Sequence, residues 1–189
     1  PGGAIIKTSA ASDHLLEHEG EAYVFENIED MKANIDRPDL PVDENTILVL
    51  KGCGPKGYPG MPEVGNMSIP QVLVEKGVRD MVRVSDGRMS GTAFGTVVLH
   101  VTPESNVGGT LGLVKTGDRI QLSVENGILE LLVSEAELEE RRKDWRPEKY
   151  AYSRGYAKLY IDHVLQADQG ADLDFLVGKD TRLVTRESH

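Results

Sequence analysis

The chain has 189 residues, 39% of them hydrophobic, with a formal net charge of −10 from 21 basic and 31 acidic side chains. That length allows one domain with a real core, or one domain plus a tail. The acidic balance argues against a nucleic-acid or anionic-membrane partner, because both need a basic face, and no apolar run approaches the roughly 20 residues of a membrane span. No signal-peptide pattern opens the chain. The one cysteine, Cys53, cannot form an intramolecular disulfide, which fits a reducing cytoplasm. The opening, PGGAIIKTSAASDHLLEHEG, has no initiator Met and begins as if inside a loop. A piece of a longer polypeptide is therefore expected, with a processed chain as the alternative.

Residues 4–7 and 22–25 read as short strands, and 28–35 as a short helix before the Pro-containing link 37–41. Residues 46–50 (TILVL) form a short apolar run ended by Gly, the pattern of a buried strand. The Gly/Pro-rich loop 52–65 follows. Ser68 is expected to cap a helix over 71–76, with Pro70 near its first turn and Gly77 as its stop. Residues 81–84 and 96–101 are two further buried strands. Residues 118–125 alternate and meet 128–133 across Asn126-Gly127, which predicts a two-residue type I′ hairpin turn. Ser134-Glu135-Ala136-Glu137 fits a capping box that opens a charged helix through Lys143. Tyr156, Leu159, Tyr160, His163 and Val164 recur at helical spacing. The tail after Gly170 is polar apart from Phe175-Leu176-Val177. Strands outnumber helices, so the class is α+β, mainly β: a barrel-like or sandwiched β core with a few flanking helices.

Several stretches invite a chemical reading. GCGPKG (52–57) fits G-x-G-x-x-G after a strand, but Pro55, Pro59 and Pro62 stand where the phosphate-binding helix would run. Lys56 is followed by Gly57, which excludes a Walker loop. Cys53 has no second cysteine to share a metal and reads as a small buried filler. His14 and His18 are four apart, but H-L-L-E-H lacks the Glu of a zinc-protease helix, and a solvated face is expected. His100 reads as a core or edge residue of its strand, and His163 as part of a packed helix face. SDGRMSGT (85–92) is stronger, because reactive groups sit on loops at the ends of buried strands. A plain Asp-Gly turn is the competing reading. Glu63 is the one carboxylate of loop 52–65, and a hard cation such as Mg²⁺ takes one or two such ligands.

GPKGYPGMPE followed by SDGRMSGT resembles the paired signature of the dehydratases of dihydroxy acids and sugar acids. That family includes dihydroxy-acid dehydratase, 6-phosphogluconate dehydratase, and the pentonate and hexonate dehydratases. The resemblance runs through GAIIKTSA, HVTPES, GGTLGLVKTGD and SEAELEERR to YSRGYAKLYIDHVLQADQGADLDFL. The last stretch is most similar to the sugar-acid branch that acts on arabinonate, xylonate or galactonate. The resemblance implies a cytoplasmic homo-oligomer, dimer or tetramer, of about three times this length. Its N-terminal domain carries the iron–sulfur cluster (2Fe-2S or 4Fe-4S) and most Mg²⁺ ligands, so the cluster ligands lie outside this chain. The chain itself is implied to be the swivelling, barrel-like β/β/α C-terminal domain over 1–145, with a helical extension and tail over 146–189.

The implied reaction dehydrates a 2,3-dihydroxy carboxylate to its 2-keto-3-deoxy acid. Ser90 is implied as the base, Glu63 as a Mg²⁺ ligand and Thr92 as a substrate contact. His189, which brings an imidazole and the terminal carboxylate, is a further candidate substrate contact, with a disordered tail as the alternative reading. A serine hydroxyl is too weak an acid to ionise alone at pH 7, so Ser90 acts only as an alkoxide beside metal charge. The alternatives are the dihydroxy-acid dehydratase of branched-chain amino-acid synthesis and a non-catalytic β module for regulation or assembly.

Overall fold

The computed structural model describes residues 2–61, 63, 67–149 and 152–178. Among the described residues there are seven strands: β1 (Gly3–Ile6), β2 (Glu17–Phe25), β3 (Ile47–Leu50), β4 (Arg83–Ser85), β5 (Val97–Thr102), β6 (Arg119–Ser123) and β7 (Ile128–Leu131). They form one sheet in the order β1-β5-β4-β3-β2-β6-β7. The four central strands, β2 to β5, run parallel, while β1, β6 and β7 join antiparallel at the two sides. The edge strands β1 and β7 line opposite sides of one cavity of about 580 Å³, so the sheet curls until its edges face each other. The expected class is what the chain forms: α+β, mainly β, and nearly a barrel.

The period of two along β3 explains how the sheet is filled. Ile47 and Val49 join the cluster of Val24, Val84, Val98, Ile120 and Leu122 on one face. Leu48 and Leu50 point the other way, into Phe25, Ile28, Leu73, Met81 and Leu99. All four β3 residues are fully buried, as a parallel strand covered on both faces must be. Each such side chain contributes about 1.5–3 kcal/mol by leaving water.

Four α-helices flank the sheet: α1 (Ile28–Asn34), α2 (Gln71–Glu75), α3 (Glu135–Asp144) and α4 (Gly155–His163). Asn27 caps α1 by accepting the Asp30 N–H at 2.8 Å. Ser134 caps α3 through the Glu137 N–H, although the Glu137 carboxylate turns to Arg141.

Four local expectations need correction. β2 begins at Glu17, well before residue 22, because Glu17–Glu21 pair with β6 while Ala22–Phe25 pair with β3. The polar EHEGE stretch has no apolar alternation to reveal this. Ser68 does not cap α2: the N-cap is Pro70, and the Gln71 N–H goes to Asp36 Oδ1 at 3.1 Å. The hairpin loop is four residues, since Ser123 pairs with Ile128, and Gly127 has positive φ (64°) but Asn126 does not. Asn126 instead donates from Nδ2 to Ser123 Oγ at 2.7 Å. Finally, α4 buries none of its residues; Tyr156 is 90% exposed, and Val164 just beyond the helix is the buried anchor.

Candidate active site

β3 and β4 are parallel neighbours, so the segments that leave their C-terminal ends open on the same edge of the sheet. This is the edge at which parallel sheets receive ligands. The two segments are also joined directly. Glu63 and Arg88 form an isolated parallel bridge, with Arg88 Nη2 3.7 Å from Glu63 Oε2. Ser90 lies two residues beyond Arg88. Its Oγ is 2.9 Å from Thr92 Oγ1, and the Thr92 N–H donates to it at 3.1 Å. Lys7, just past β1, donates its ammonium to the carbonyl of Gly91 at 2.7 Å.

Among the described residues neither segment forms a helix or strand to fix it, and buried polar side chains take over that task. Asp86, fully buried, accepts the Cys53 N–H at 2.8 Å, the Ser105 N–H at 2.8 Å and the Ser105 hydroxyl at 2.5 Å. Burial pushes its carboxyl above the ordinary range, and the bonds from Ser105 and Cys53 offset part of that. Ser105 Oγ in turn accepts the Gly52 N–H at 2.8 Å. At the far ends, the Arg83 guanidinium donates to Met67 O at 2.7 Å and to Phe94 O at 3.1 Å, and pairs with Asp80 at 3.1 Å. One arginine therefore holds the closing ends of both segments.

The glycine fingerprint acquires a definite meaning here. The N–H groups of Lys56 and Gly57 do converge on an anion, but it is the chain's own Glu104, at 2.9 Å and 2.7 Å. A Cβ on Gly54 would lie 2.5 Å from that carboxylate, so glycine is required for the close approach. Gln166 completes the set by donating to Glu104 Oε1 at 2.7 Å and accepting the Glu104 N–H at 2.9 Å. The residues directly after Gly57, up to Gly60, form turns and no phosphate-binding helix.

Other expected residues fall as follows. Cys53 is fully buried, and desolvation pushes its thiol up. His14 lies in a 3-10 turn and His18 on β2, so they share no helical face; His18 Nε2 is 2.8 Å from Asn45 O. His163 pairs with Asp174 at 2.9 Å and meets the Phe175 ring edge-on. His189 lies outside the described residues. Cavities of about 580, 280 and 290 Å³ are lined by none of Glu63, Ser90 or Thr92. Glu63 and Thr92 are exposed and Ser90 is half-buried.

Sequence reading passed over Lys7, Asp80, Arg83, Glu104 and the anchoring role of Asp86. The stretches holding Lys7 and Glu104 were visible, but their partners lie 84 and 48 residues away.

The residues fit the implied cofactors unequally. A lone buried thiol pushed towards its protonated form does not fit an iron–sulfur ligand set. Among the described residues no group of three or more His, Cys, Asp and Glu could hold a metal ion. The exposed carboxylate of Glu63, loosely met by Arg88, fits one ligand of a hard cation and not a whole site.

The near-barrel fold carries both loop motifs on one edge of its sheet, and the comparisons give the family. Residues 1–171 match the family described as dihydroxy-acid/6-phosphogluconate dehydratase, C-terminal, and the chain belongs to it. It is 70% identical over 189 residues to a dehydratase-named protein of Rhizobium meliloti (strain 1021), covering all of this chain and 33% of that protein. It is 56% identical over 189 residues to the L-arabinonate dehydratase of Rhizobium leguminosarum bv. trifolii (strain WSM2304), with the same coverage. To the 6-deoxy-6-sulfo-D-gluconate dehydratase of Pseudomonas putida it is 51% identical over 176 residues, 93% of this chain and 30% of that protein. The chain thus spans about a third of the length of these relatives. Among the described residues no helix is long and apolar enough to cross a membrane.

Proposed function

We propose that this chain is the C-terminal part of a cytoplasmic, homo-oligomeric sugar-acid dehydratase. It converts a 2,3-dihydroxy carboxylate, a pentonate or hexonate, to the 2-keto-3-deoxy acid. The names of the two sugar-acid relatives, an arabinonate and a sulfogluconate dehydratase, support that substrate class. In this reading Ser90 Oγ takes the C2 proton, the C3 hydroxyl leaves and combines with a proton as water, and the resulting enol tautomerises to the ketone. The observation that carries it is the environment of Ser90. Its Oγ sits on the open edge with the Thr92 N–H and Thr92 hydroxyl both within hydrogen-bond reach. With the Thr92 hydroxyl turned to donate, two donors at one oxygen favour its anionic form.

Glu63 holds Mg²⁺ in this reading, and that ion supplies Lewis-acid stabilisation of developing negative charge. No residue of this chain is assigned to the iron–sulfur cluster, which belongs to the N-terminal part of the polypeptide. Thr92, exposed beside Ser90, and His189 contact the sugar acid. In this reading 146–189 is an extension of the barrel domain 1–145, and among its described residues Gln166 pairs with Glu104, which supports it.

Ser90→Ala in the full-length enzyme, assayed on a panel of pentonates and hexonates, tests the reading. Turnover falls by about 10³-fold or more, in the range of a lost general base, while the visible spectrum of the cluster is unchanged. Substantial residual turnover removes Ser90 as the base.

A further inference from the structure

His100 is the one residue of β5 whose backbone leaves the strand region. Its φ is +55°, in the left-handed region that L-residues with a Cβ enter at a cost. The register explains how. Ile5 pairs with Leu99 and Gly3 with Thr102, so β5 holds one more residue than β1 over that step, a β-bulge. Bulges occur beside active sites, where they re-aim a side chain. Here the turned residue grips the Ser90 segment at two points. The His100 N–H donates to Gly87 O at 2.9 Å, and His100 Nε2 accepts the Met89 N–H at 2.8 Å. Ser90 is the next residue.

We propose that His100 is a positioning residue for Ser90: the bulge turns its ring under the loop, where it fixes the Met89 amide and with it the place of the Ser90 hydroxyl. This inference rests on the reading of Ser90 as the base. A backbone N–H can bond only to a ring nitrogen that carries its lone pair, so His100 works as the neutral Nδ1–H tautomer. Burial lowers the basicity of the ring, and the neighbouring Arg88 lowers it further, which keeps that form in place. Thr92 then meets an Oγ that is already oriented.

The test uses the full-length enzyme with two variants. His100→Phe keeps an aromatic ring and removes the acceptor. His100→Gln places an acceptor near the Nε2 position. For His100→Phe, the Met89 amide loses hydrogen-exchange protection, and kcat falls about 100-fold while KM for the sugar acid stays within about threefold, the pattern of a misplaced reacting group. His100→Gln recovers most of both. Unchanged protection at Met89 in His100→Phe overturns the proposal, as does a rise in KM with kcat intact. Lost protection with full turnover also overturns it, and Ser90→Ala then decides separately whether Ser90 is the base. If His100→Phe does not fold, His100→Gln decides alone, and loss of both protection and turnover in it overturns the proposal.

Discussion

The loop edge of the sheet and the β6–β7 hairpin with α3 both depend on carboxylates, and they hold them in opposite ways. Beside the hairpin, Asp118 meets Arg141 in a two-pronged pair at 2.5 and 2.9 Å, and Glu137 meets the same guanidinium from one turn earlier in α3. Charge answers charge, and the ladder between β6 and β7 already supplies the backbone partners. At the loop edge the ladder has ended. There Asp86 and Glu104 face backbone N–H groups of Cys53, Ser105, Lys56 and Gly57, and neither carboxylate is paired with a cation. These carboxylates do what a strand would do elsewhere, but they leave the loops free to take a shape that no strand allows.

Removing one of these anchors therefore has the largest consequence. Asp86→Ala strands three donors in the interior: the Cys53 N–H, the Ser105 N–H and the Ser105 hydroxyl. An unsatisfied buried donor costs about 1–3 kcal/mol, so the variant should lose on the order of 3 kcal/mol in urea unfolding. Glu137→Ala serves as the contrast. Its carboxylate is half exposed and is only one of the two carboxylates that Arg141 meets, so its midpoint should stay close to that of the parent. Equal losses in the two variants would erase the distinction between the regions.

The same distinction decides what the sequence reveals. β3, the β6–β7 pair, α1 and α3 are legible because each announces itself within about ten residues, by an apolar run, an alternation or a cap. The paired loop motifs are legible as a signature, and they lead to Glu63, Ser90 and Thr92 together. What stays hidden is the apparatus that shapes the loops. Asp86 reaches Cys53 across 33 residues and Glu104 reaches Gln166 across 62, and no local pattern encodes such partners. GCGPKG, excluded as a cofactor loop by its prolines, shows the same limit. Its glycines do serve a close approach to an anion, but the anion comes from HVTPES, far along the chain. His100 looked like an ordinary strand residue because neither a bulge nor a positive φ is written in the alternation around it.

Acid separates the carboxylates by sign. Burial works against the charge of Asp80, yet the Thr96, Ser12 and Arg83 contacts outweigh it and hold its carboxyl below the usual range. A lowered folded value means stability that is present above the unfolded value of about 3.9 and is lost as pH falls through the folded one. Asp80→Asn should thus be less stable than the parent by about 2 kcal/mol at neutral pH, and the gap should narrow as pH drops below about 4. Asp86 and Glu104 run the other way. Burial raises both, so ionising them costs stability as pH rises from the unfolded value through the folded one, a cost that the hydrogen bonds they accept offset in part. A gap between the parent and Asp80→Asn that is flat from pH 7 to pH 3 would deny Asp80 this role.

The smallest contrast is between two glycines that are needed for different reasons. Gly127 ends the hairpin loop at φ +64°, and an added Cβ there meets nothing within 4 Å. Gly127→Ala meets only backbone strain, about 1 kcal/mol, with turnover of the full-length enzyme unchanged. Gly54 has no positive φ; its Cβ would instead fall 2.5 Å from both Cβ and Oε2 of Glu104. That carboxylate is fixed by Lys56, Gly57 and Gln166, so it has no room to give. Gly54→Ala should lose roughly 1–3 kcal/mol by overpacking and should also lower turnover, because the displaced loop carries Glu63. Thermal unfolding and turnover measured together separate the two variants. A Gly54→Ala enzyme that is destabilised but fully active would show that the Glu104 nest serves folding alone and that the position of Glu63 does not depend on it.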